Sequence, residues 1–208
     1  MKKSTVILST IVAMISLSHA EDNDLKSWSI ELGYQTSIQK INDNFDVTYK
    51  DGSSSSRLGS GLTDNLYIDL GRNIFVGDKY LLLPSIGFTQ ATLLVDDYHN
   101  DELNIKLPLF YKTEWLNQQI LVGPQVKFIF YPALNYNHRE GQVDMNYQTA
   151  FAYGIQTLWG RGVTKLSVGL DYLTSAHYTA IQYNADTVLE ADVNMNGLYM
   201  NVGLHLDF

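Results

Sequence analysis

Residues 198–208 read LYMNVGLHLDF, and this stretch decides the fold. Every even-numbered residue in it is apolar, and the residues between them are Tyr199, Asn201, Gly203, His205 and Asp207. Successive side chains of a β-strand point to opposite faces, so a period of two predicts a strand with one apolar face and one polar face.

Seven further segments repeat this period of two: 28–35, 66–71, 82–89, 103–110, 120–128, 151–156 and 166–172. With the final segment they predict eight strands. The connections alternate between longer segments (40–61, 131–148 and 173–194, with 96–102 of middling length) and compact ones (77–79, 112–119 and 160–162). An even strand number with alternating connection lengths is typical of an outer-membrane barrel, which has short periplasmic turns and longer outer loops.

The polar faces of the predicted strands are rich in glycine. The remaining strand carries Pro108 there, and the other seven carry a glycine: Gly33, Gly71, Gly87, Gly123, Gly154, Gly169 and Gly203. The interior of an eight-stranded barrel is just wide enough for side chains, so residues without a Cβ relieve crowding. The same faces carry charges of both signs, for which we predict lumenal ion pairs: Glu31, Asp69, Lys106, Lys127 and Asp171.

Aromatic residues flank the apolar faces, as expected of the two girdles of a membrane barrel. We assign them to the short-turn end (Trp28, Tyr80, Tyr111, Trp115 and Trp159) and to the loop end (Tyr34, Phe128, Phe130, Phe151 and Tyr172). Arg72 falls on the apolar face of the second strand. Its position implies either a β-bulge or a side chain that extends to the lipid headgroups.

The first residues have the organisation of an exported protein. Lys2 and Lys3 precede an uncharged apolar run over 5–17, and Ser18-His19-Ala20 suits signal peptidase, so we predict a cleaved signal peptide over 1–20 and one barrel domain over 21–208. The absence of cysteine suits an oxidising compartment. After cleavage, 12 basic residues remain against 22 acidic ones, which argues against a nucleic-acid partner.

The final strand, with its terminal Phe208, resembles the sequence that the barrel assembly machinery of Gram-negative bacteria recognises. On this resemblance the assembly signal comprises Tyr199, Leu204, Leu206 and Phe208. The chain as a whole resembles the small eight-stranded outer-membrane family that includes the OmpA membrane domain, OmpX and the opacity-type surface proteins. The resemblance implies a closed, antiparallel, up-and-down transmembrane β-barrel, all-β, integral to the outer membrane and surrounded by its lipid and lipopolysaccharide.

Members of that family are adhesins, surface-protective proteins, structural anchors and a few lipid A enzymes, so the fold transfers better than the function. We expect a non-enzymatic role in structure, adhesion or another surface interaction, with the loops available to an external surface ligand. The alternative in the same membrane is a lipid A hydrolase. A soluble periplasmic ligand-binding barrel is a further alternative, and it would need its apolar faces inside.

The candidate catalytic residues of the hydrolase alternative are His177, Thr179 and Glu190, which are similar in spacing to the His-x-Ser and glutamate of lipid A deacylases. Thr179 replaces the serine, and Ala180 stands where that family has asparagine. No cofactor motif occurs in the sequence. We interpret His99 and His138, with the acidic residues near them, as solvated loop residues that do not bind a metal.

Overall fold

A computed structural model describes residues 27–38, 44–58, 65–91, 98–115, 118–138, 141–145, 149–183 and 188–208. The predicted signal peptide over 1–20 lies outside these ranges. Within them, no helix is long and apolar enough to cross a membrane. The described residues form the strands β1 (Trp28–Ser37), β2 (Asn44–Tyr49), β3 (Ser54–Leu58), β4 (Asn65–Arg72), β5 (Ile74–Val76), β6 (Tyr80–Leu82), β7 (Ser85–Ala91), β8 (Tyr98–Trp115), β9 (Gln118–His138), β10 (Gly141–Met145), β11 (Ala150–Trp159), β12 (Thr164–Thr174), β13 (His177–Tyr183), β14 (Val188–Asn194) and β15 (Gly197–Asp207).

Eight of these strands close into an antiparallel barrel in the order β1, β4, β7, β8, β9, β11, β12 and β15. The barrel closes where β15 pairs with β1, from Ser29 opposite Asp207 to Ser37 opposite Tyr199. The predicted closed eight-stranded, up-and-down barrel is therefore confirmed. The short connections from β8 to β9 and from β11 to β12 lie at the same end of the barrel. We call this end the turn end, and the opposite end the loop end.

The strands are strongly tilted. Paired residues can be followed round the barrel from Trp28 of β1, through Arg72 of β4 and across each remaining strand in turn. This path returns to the first strand at Ile38, ten residues further along the chain than Trp28. A stagger of ten residues over eight strands corresponds to a tilt of about 40° from the barrel axis, given the usual strand spacing and rise per residue. A barrel of this size has an interior that side chains can fill.

The outer surface is apolar between two aromatic girdles. Outward residues such as Leu66, Ile86 and Ile155 are more than half exposed, a state that water would penalise and hydrocarbon favours. Trp28, Tyr80, Tyr111 and Trp159 lie exposed toward the turn end. Toward the loop end a chain of ring contacts, with centroids 5.2 to 6.1 Å apart, joins Phe128, Phe151, Tyr153 and Tyr172.

The long connections differ from the expectation. The sequence predicts loops over 40–61, 131–148 and 173–194, yet these segments contain β2, β3, β10, β13 and β14, and β9 continues to His138. These strands extend the sheet beyond the barrel at the loop end, in the order β3, β2, β14, β13, β10 and β9. The physical reason is that backbone groups next to an existing strand edge find hydrogen-bond partners already aligned, whatever the side-chain pattern. We call this extension the loop-end sheet.

The serine-rich run at 53–56, expected as loop, begins at a tight turn and enters β3. Asp51 accepts hydrogen bonds from the hydroxyl of Ser53 at 2.6 Å and from its backbone N–H at 2.8 Å. Both donors favour the charged carboxylate and lower the pKa of Asp51. Gly52 between them has a φ of 83°, the left-handed conformation that glycine adopts without strain.

Candidate functional site

The interior of the barrel is filled in layers. Toward the turn end, five side chains with at most 5% exposure form a cluster that we call the apolar plug: Leu81, Leu83, Phe110, Leu121 and Leu158. They come from β6, β8, β9 and β11 and from the residue after β6. These inward positions carry large apolar side chains, so this part of the lumen is dry.

Above the plug, Glu31 of β1 is the centre of a buried polar cluster. Its carboxylate accepts hydrogen bonds from Tyr67 Oη at 2.8 Å, Ser167 Oγ at 2.9 Å and Gln156 Nε2 at 2.9 and 3.1 Å. These donors come from β4, β12 and β11, so one carboxylate links four strands of the barrel. Two cationic or titratable groups lie slightly farther away, Lys106 Nζ at 3.8 Å and His205 Nδ1 at 3.7 Å.

Two of the interior lysines face each other across neighbouring strands, since Lys106 pairs with Lys127 in the register of β8 and β9. Like charges in this position repel, and the two ammonium groups are compensated separately. Lys106 contacts Asp69 directly and lies near Glu31. Lys127 donates to Gln35 Oε1 at 3.4 Å and lies 3.9 Å from Glu102 Oε2.

Asp171 of β12 is held by amide groups. Gln125 Nε2 donates to one carboxylate oxygen at 2.5 Å, and Asn201 Nδ2 donates to the other at 2.7 Å. The carboxylate is thus buried with two hydrogen bonds from neutral donors, which partly replace the water it loses.

A second polar group closes the turn end on the side away from the apolar plug. Asp207 contacts Lys165, accepts a hydrogen bond from Asn73 Nδ2 at 2.8 Å and lies 3.0 Å from His205 Nε2. Lys165 also donates to the carbonyl of Gly162 at 3.1 Å. His205 therefore lies between the carboxylates of Asp207 and Glu31 and connects this group to the central cluster.

Two glycines make room for Tyr67. Gly33 of β1 pairs with both Tyr67 and Gly203, and a Cβ added at Gly33 would overlap the tyrosine hydroxyl. At Gly203 the same hydroxyl would lie 2.6 Å from an added Cβ. The ring thus lies across two strands that have no side chains at that height, and this packing aims its hydroxyl at Glu31.

The space left in the polar cluster is small. A cavity of about 10 Å³ is lined by Gln35, Tyr67, Asp69, Thr89, Lys106, Lys127, Asp171 and Asn201. That volume holds about one water molecule. Among the described side chains, no group of three His, Asp or Glu is placed to hold a metal ion. The chemistry available in the cluster is the mutual compensation of buried charges.

The sequence matches no family model and no curated protein. Solved structures nevertheless resemble the barrel. A major outer membrane protein from Thermus thermophilus aligns with a TM-score of 0.51 at 11% identity, over 88% of this chain and 99% of that one. The outer membrane protein AlkL, solved in DMPC bilayers, aligns with a TM-score of 0.51 at 13% identity, over 91% of this chain and 93% of that one. The fold is that of the small outer-membrane barrels.

The candidate catalytic residues lie in the loop-end sheet. In the backbone register His177 is opposite Asn194 and Thr179 is opposite Asp192, while Glu190 is opposite Thr48 of β2. The hairpin of β13 and β14 therefore places Thr179 and Glu190 close in register. The side chains of His177, Thr179 and Glu190 lie outside what the structure describes.

The four residues of the predicted assembly signal occupy both faces of β15 and its end. Tyr199 is buried in the lumen and donates to the carbonyl of Met195 at 2.7 Å. Leu204 and Phe208 are exposed on the outer face, and Leu206 shares their parity. Recognition of this set by another protein stays a prediction.

Several members of the polar cluster were not singled out from the sequence. The sequence pattern assigns Glu102 to a connection, whereas in the structure β8 begins at Tyr98 and Glu102 is buried. Tyr67, Gln156, Ser167 and Lys165 also face inward. Extending the alternation of each strand by two residues would have placed Glu102 inside, but nothing in the sequence indicates which side chains meet across the lumen.

Proposed function

We propose that this chain is an integral protein of the bacterial outer membrane with a non-enzymatic role, in which the loop-end sheet contacts a ligand outside the cell. The observation that carries this proposal is the contrast between a filled interior and an extended outer end. The apolar plug and the polar cluster occupy the lumen, whereas five additional strands lie beyond the barrel at the loop end.

The outer surface supports the membrane location. An apolar band between two aromatic girdles suits hydrocarbon between two headgroup layers, and a closed barrel satisfies its backbone hydrogen bonds without water. The soluble alternative needs the opposite arrangement, with apolar faces inside and polar faces outside. Most interior residues above the plug are polar or charged.

The composition of the loop-end sheet favours a cationic ligand. Its strands β2, β3, β10, β13 and β14 contain four acidic residues and one basic residue, Arg57. The acidic residues are Asp46, Asp144, Glu190 and Asp192. Such an excess repels the phosphate groups of lipopolysaccharide and attracts positively charged segments of an external protein, so we favour the protein ligand.

The membrane location is tested by cell fractionation and by gel migration without heating. We expect the protein in the outer-membrane fraction, with the unheated form migrating faster than the heated form. Recovery of the whole protein in the soluble periplasmic fraction would contradict the proposal.

The ligand preference is tested with purified protein in DMPC nanodiscs. We expect binding of a decalysine peptide that weakens with added salt, and no binding of a decaglutamate peptide. A variant with Asp46→Asn, Asp144→Asn, Glu190→Gln and Asp192→Asn should lose this binding, whereas Asp78→Asn at the turn end should retain it. Equal binding by both variants would refute a role for the acidic strands.

The hydrolase alternative is separated by mass spectrometry of lipid A from cells with and without the protein. We expect an unchanged acylation pattern. Loss of an acyl chain that His177→Ala abolishes would replace the binding role with the enzyme.

A further inference from the structure

Arg72 lies at the end of β4 on the lipid-facing side of the barrel. It follows Leu66, Ile68 and Leu70 on the same face, and its side chain is exposed. The pairing of β1 with β4 continues without a shift to Trp28 opposite Arg72, so no bulge turns the side chain inward. The Arg72 N–H donates to the carbonyl of Pro84 at 3.0 Å, which fixes the backbone at this point.

The guanidinium group of Arg72 contacts the ring of Trp28. Arg72 Cζ lies 5.8 Å from the centroid of the Trp28 ring, within the range of a cation–π contact. Trp28 is anchored at the closing seam, because its N–H donates to the Phe208 carbonyl at 3.1 Å and its carbonyl accepts the Phe208 N–H at 2.8 Å. Trp28 also belongs to the turn-end girdle, so the guanidinium lies at headgroup depth.

A cation–π contact at this distance uses none of the guanidinium N–H groups in a hydrogen bond to an acceptor atom, so these donors can bind other groups. Within the described ranges Arg72 forms no ion pair with a carboxylate within 4.0 Å, and Asp207 at this end pairs with Lys165 and His205. A planar group with several donors in one plane matches the oxygens of a carboxylate or a phosphate, and phosphate is the anionic group that glycerophospholipids carry at headgroup depth.

We propose that Arg72 and Trp28 form a binding site for the phosphate of an anionic glycerophospholipid in the leaflet at the turn end. The phosphate accepts hydrogen bonds from the guanidinium edge, and the acyl chains lie along Leu70 of β4 and Ile86, its partner on β7. The site rests on the proposed membrane location, and it adds a specific lipid to it.

The first test is native mass spectrometry of the detergent-purified, heat-modifiable protein titrated with phosphatidylglycerol. We expect a one-to-one adduct whose affinity falls about tenfold in Arg72→Gln, the size of one lost charge-assisted interaction. Arg72→Lys should bind with intermediate affinity, because lysine keeps the charge but loses the planar fork. Arg161→Gln is the matched control, since Arg161 is exposed in the turn between β11 and β12.

Two outcomes of this titration would overturn the site. Equal adducts in the wild type and Arg72→Gln would show that the lipid binds elsewhere. Full competition by millimolar inorganic phosphate would indicate a general anion site and not a lipid site. Because heat-modifiable migration is measured first, failure of the membrane location is distinguished from failure of the lipid site.

A second measurement does not depend on the folding of the Arg72 variant. In a Trp115→Phe, Trp159→Phe background, Trp28 is the remaining tryptophan. Reconstituted into vesicles, it should be quenched more strongly by brominated phosphatidylglycerol than by the same fraction of brominated phosphatidylcholine. Equal quenching by the two lipids would contradict the proposal.

Discussion

The hydroxyl of Tyr67 donates a 2.8 Å hydrogen bond to Oε1 of Glu31, its diagonal neighbour in the β1–β4 pairing. Both residues are buried, and the tyrosine ring reaches this position only because Gly33 and Gly203 have no side chains. The contact lies beside the seam at which β1 meets β15. The same side chain thus packs against the closing seam and helps to compensate the central carboxylate.

Tyr67→Phe should therefore destabilise the barrel. The variant keeps the ring over the glycines and removes one donor from a buried carboxylate, which costs about 1.5–3 kcal/mol. The free energy of unfolding in urea, measured in DMPC bilayers, tests this. Tyr80→Phe is the control, because Tyr80 is 48% exposed in the girdle and should change stability little. A Tyr67 variant as stable as the wild type would mean that water replaces the hydroxyl.

Gly87→Ala should disrupt the ion pair of Asp69 and Lys106. A Cβ at Gly87 would overlap Asp69 Oδ1 and lie 2.6 Å from Asn104 Oδ1, so the carboxylate must move. We expect a loss of about 1–3 kcal/mol, as for other overpacked interiors. Gly169→Ala is the matched control, since its nearest neighbours would be 3.4 Å away, an ordinary contact. Equal unfolding midpoints for the two variants would refute this account.

The sequence predicts the barrel well because alternation is a local property of each strand. Even Arg72 follows this rule, as its outward parity holds to the end of β4. Side-chain partners across the lumen are different, because they depend on the stagger of all eight strands. Asp171 meets Gln125 and Asn201, and Glu102 lies near Lys127, contacts that the spacing within one strand does not encode.

The strands of the loop-end sheet are also not predicted from the sequence, for a related reason. β2 and β14 pair through backbone groups, although they are separated by most of the chain. Both sequences, NFDVTY and VLEADVN, do alternate, but only over about six residues and within long, mainly polar segments, which is too short a signal to separate them from loop. Strand formation there follows from the neighbouring strands more than from local side-chain pattern.

Replacement by methionine should destabilise the barrel most at Lys106, less at Lys127 and least at the exposed Lys79. Lys106→Met leaves Asp69 and Glu31 without their nearest cation and should cost about 3–5 kcal/mol. Lys127→Met should cost less, since its contacts to Gln35 and Glu102 are longer. Lys79→Met in the exposed turn should stay within about 0.5 kcal/mol of the wild type. Chemical unfolding of all three in the same bilayer checks the order, and equal effects would show that the lumen is hydrated enough to screen these charges.

The filled interior predicts that the protein forms no stable channel of porin size. The apolar plug excludes water at the turn end, and the polar cluster above it leaves a cavity of about 10 Å³. Wide aqueous channels belong to barrels of 16 or so strands. Planar-bilayer recordings should show no long-lived conductance steps, whereas a 16-stranded porin in the same membrane supplies the positive control.

A double variant, Phe110→Ala with Leu158→Ala, hollows the plug but leaves the polar cluster in place, so it should also lack porin-sized steps. Stable steps in the wild type would contradict the closed interior, and steps in the double variant alone would assign closure to the plug.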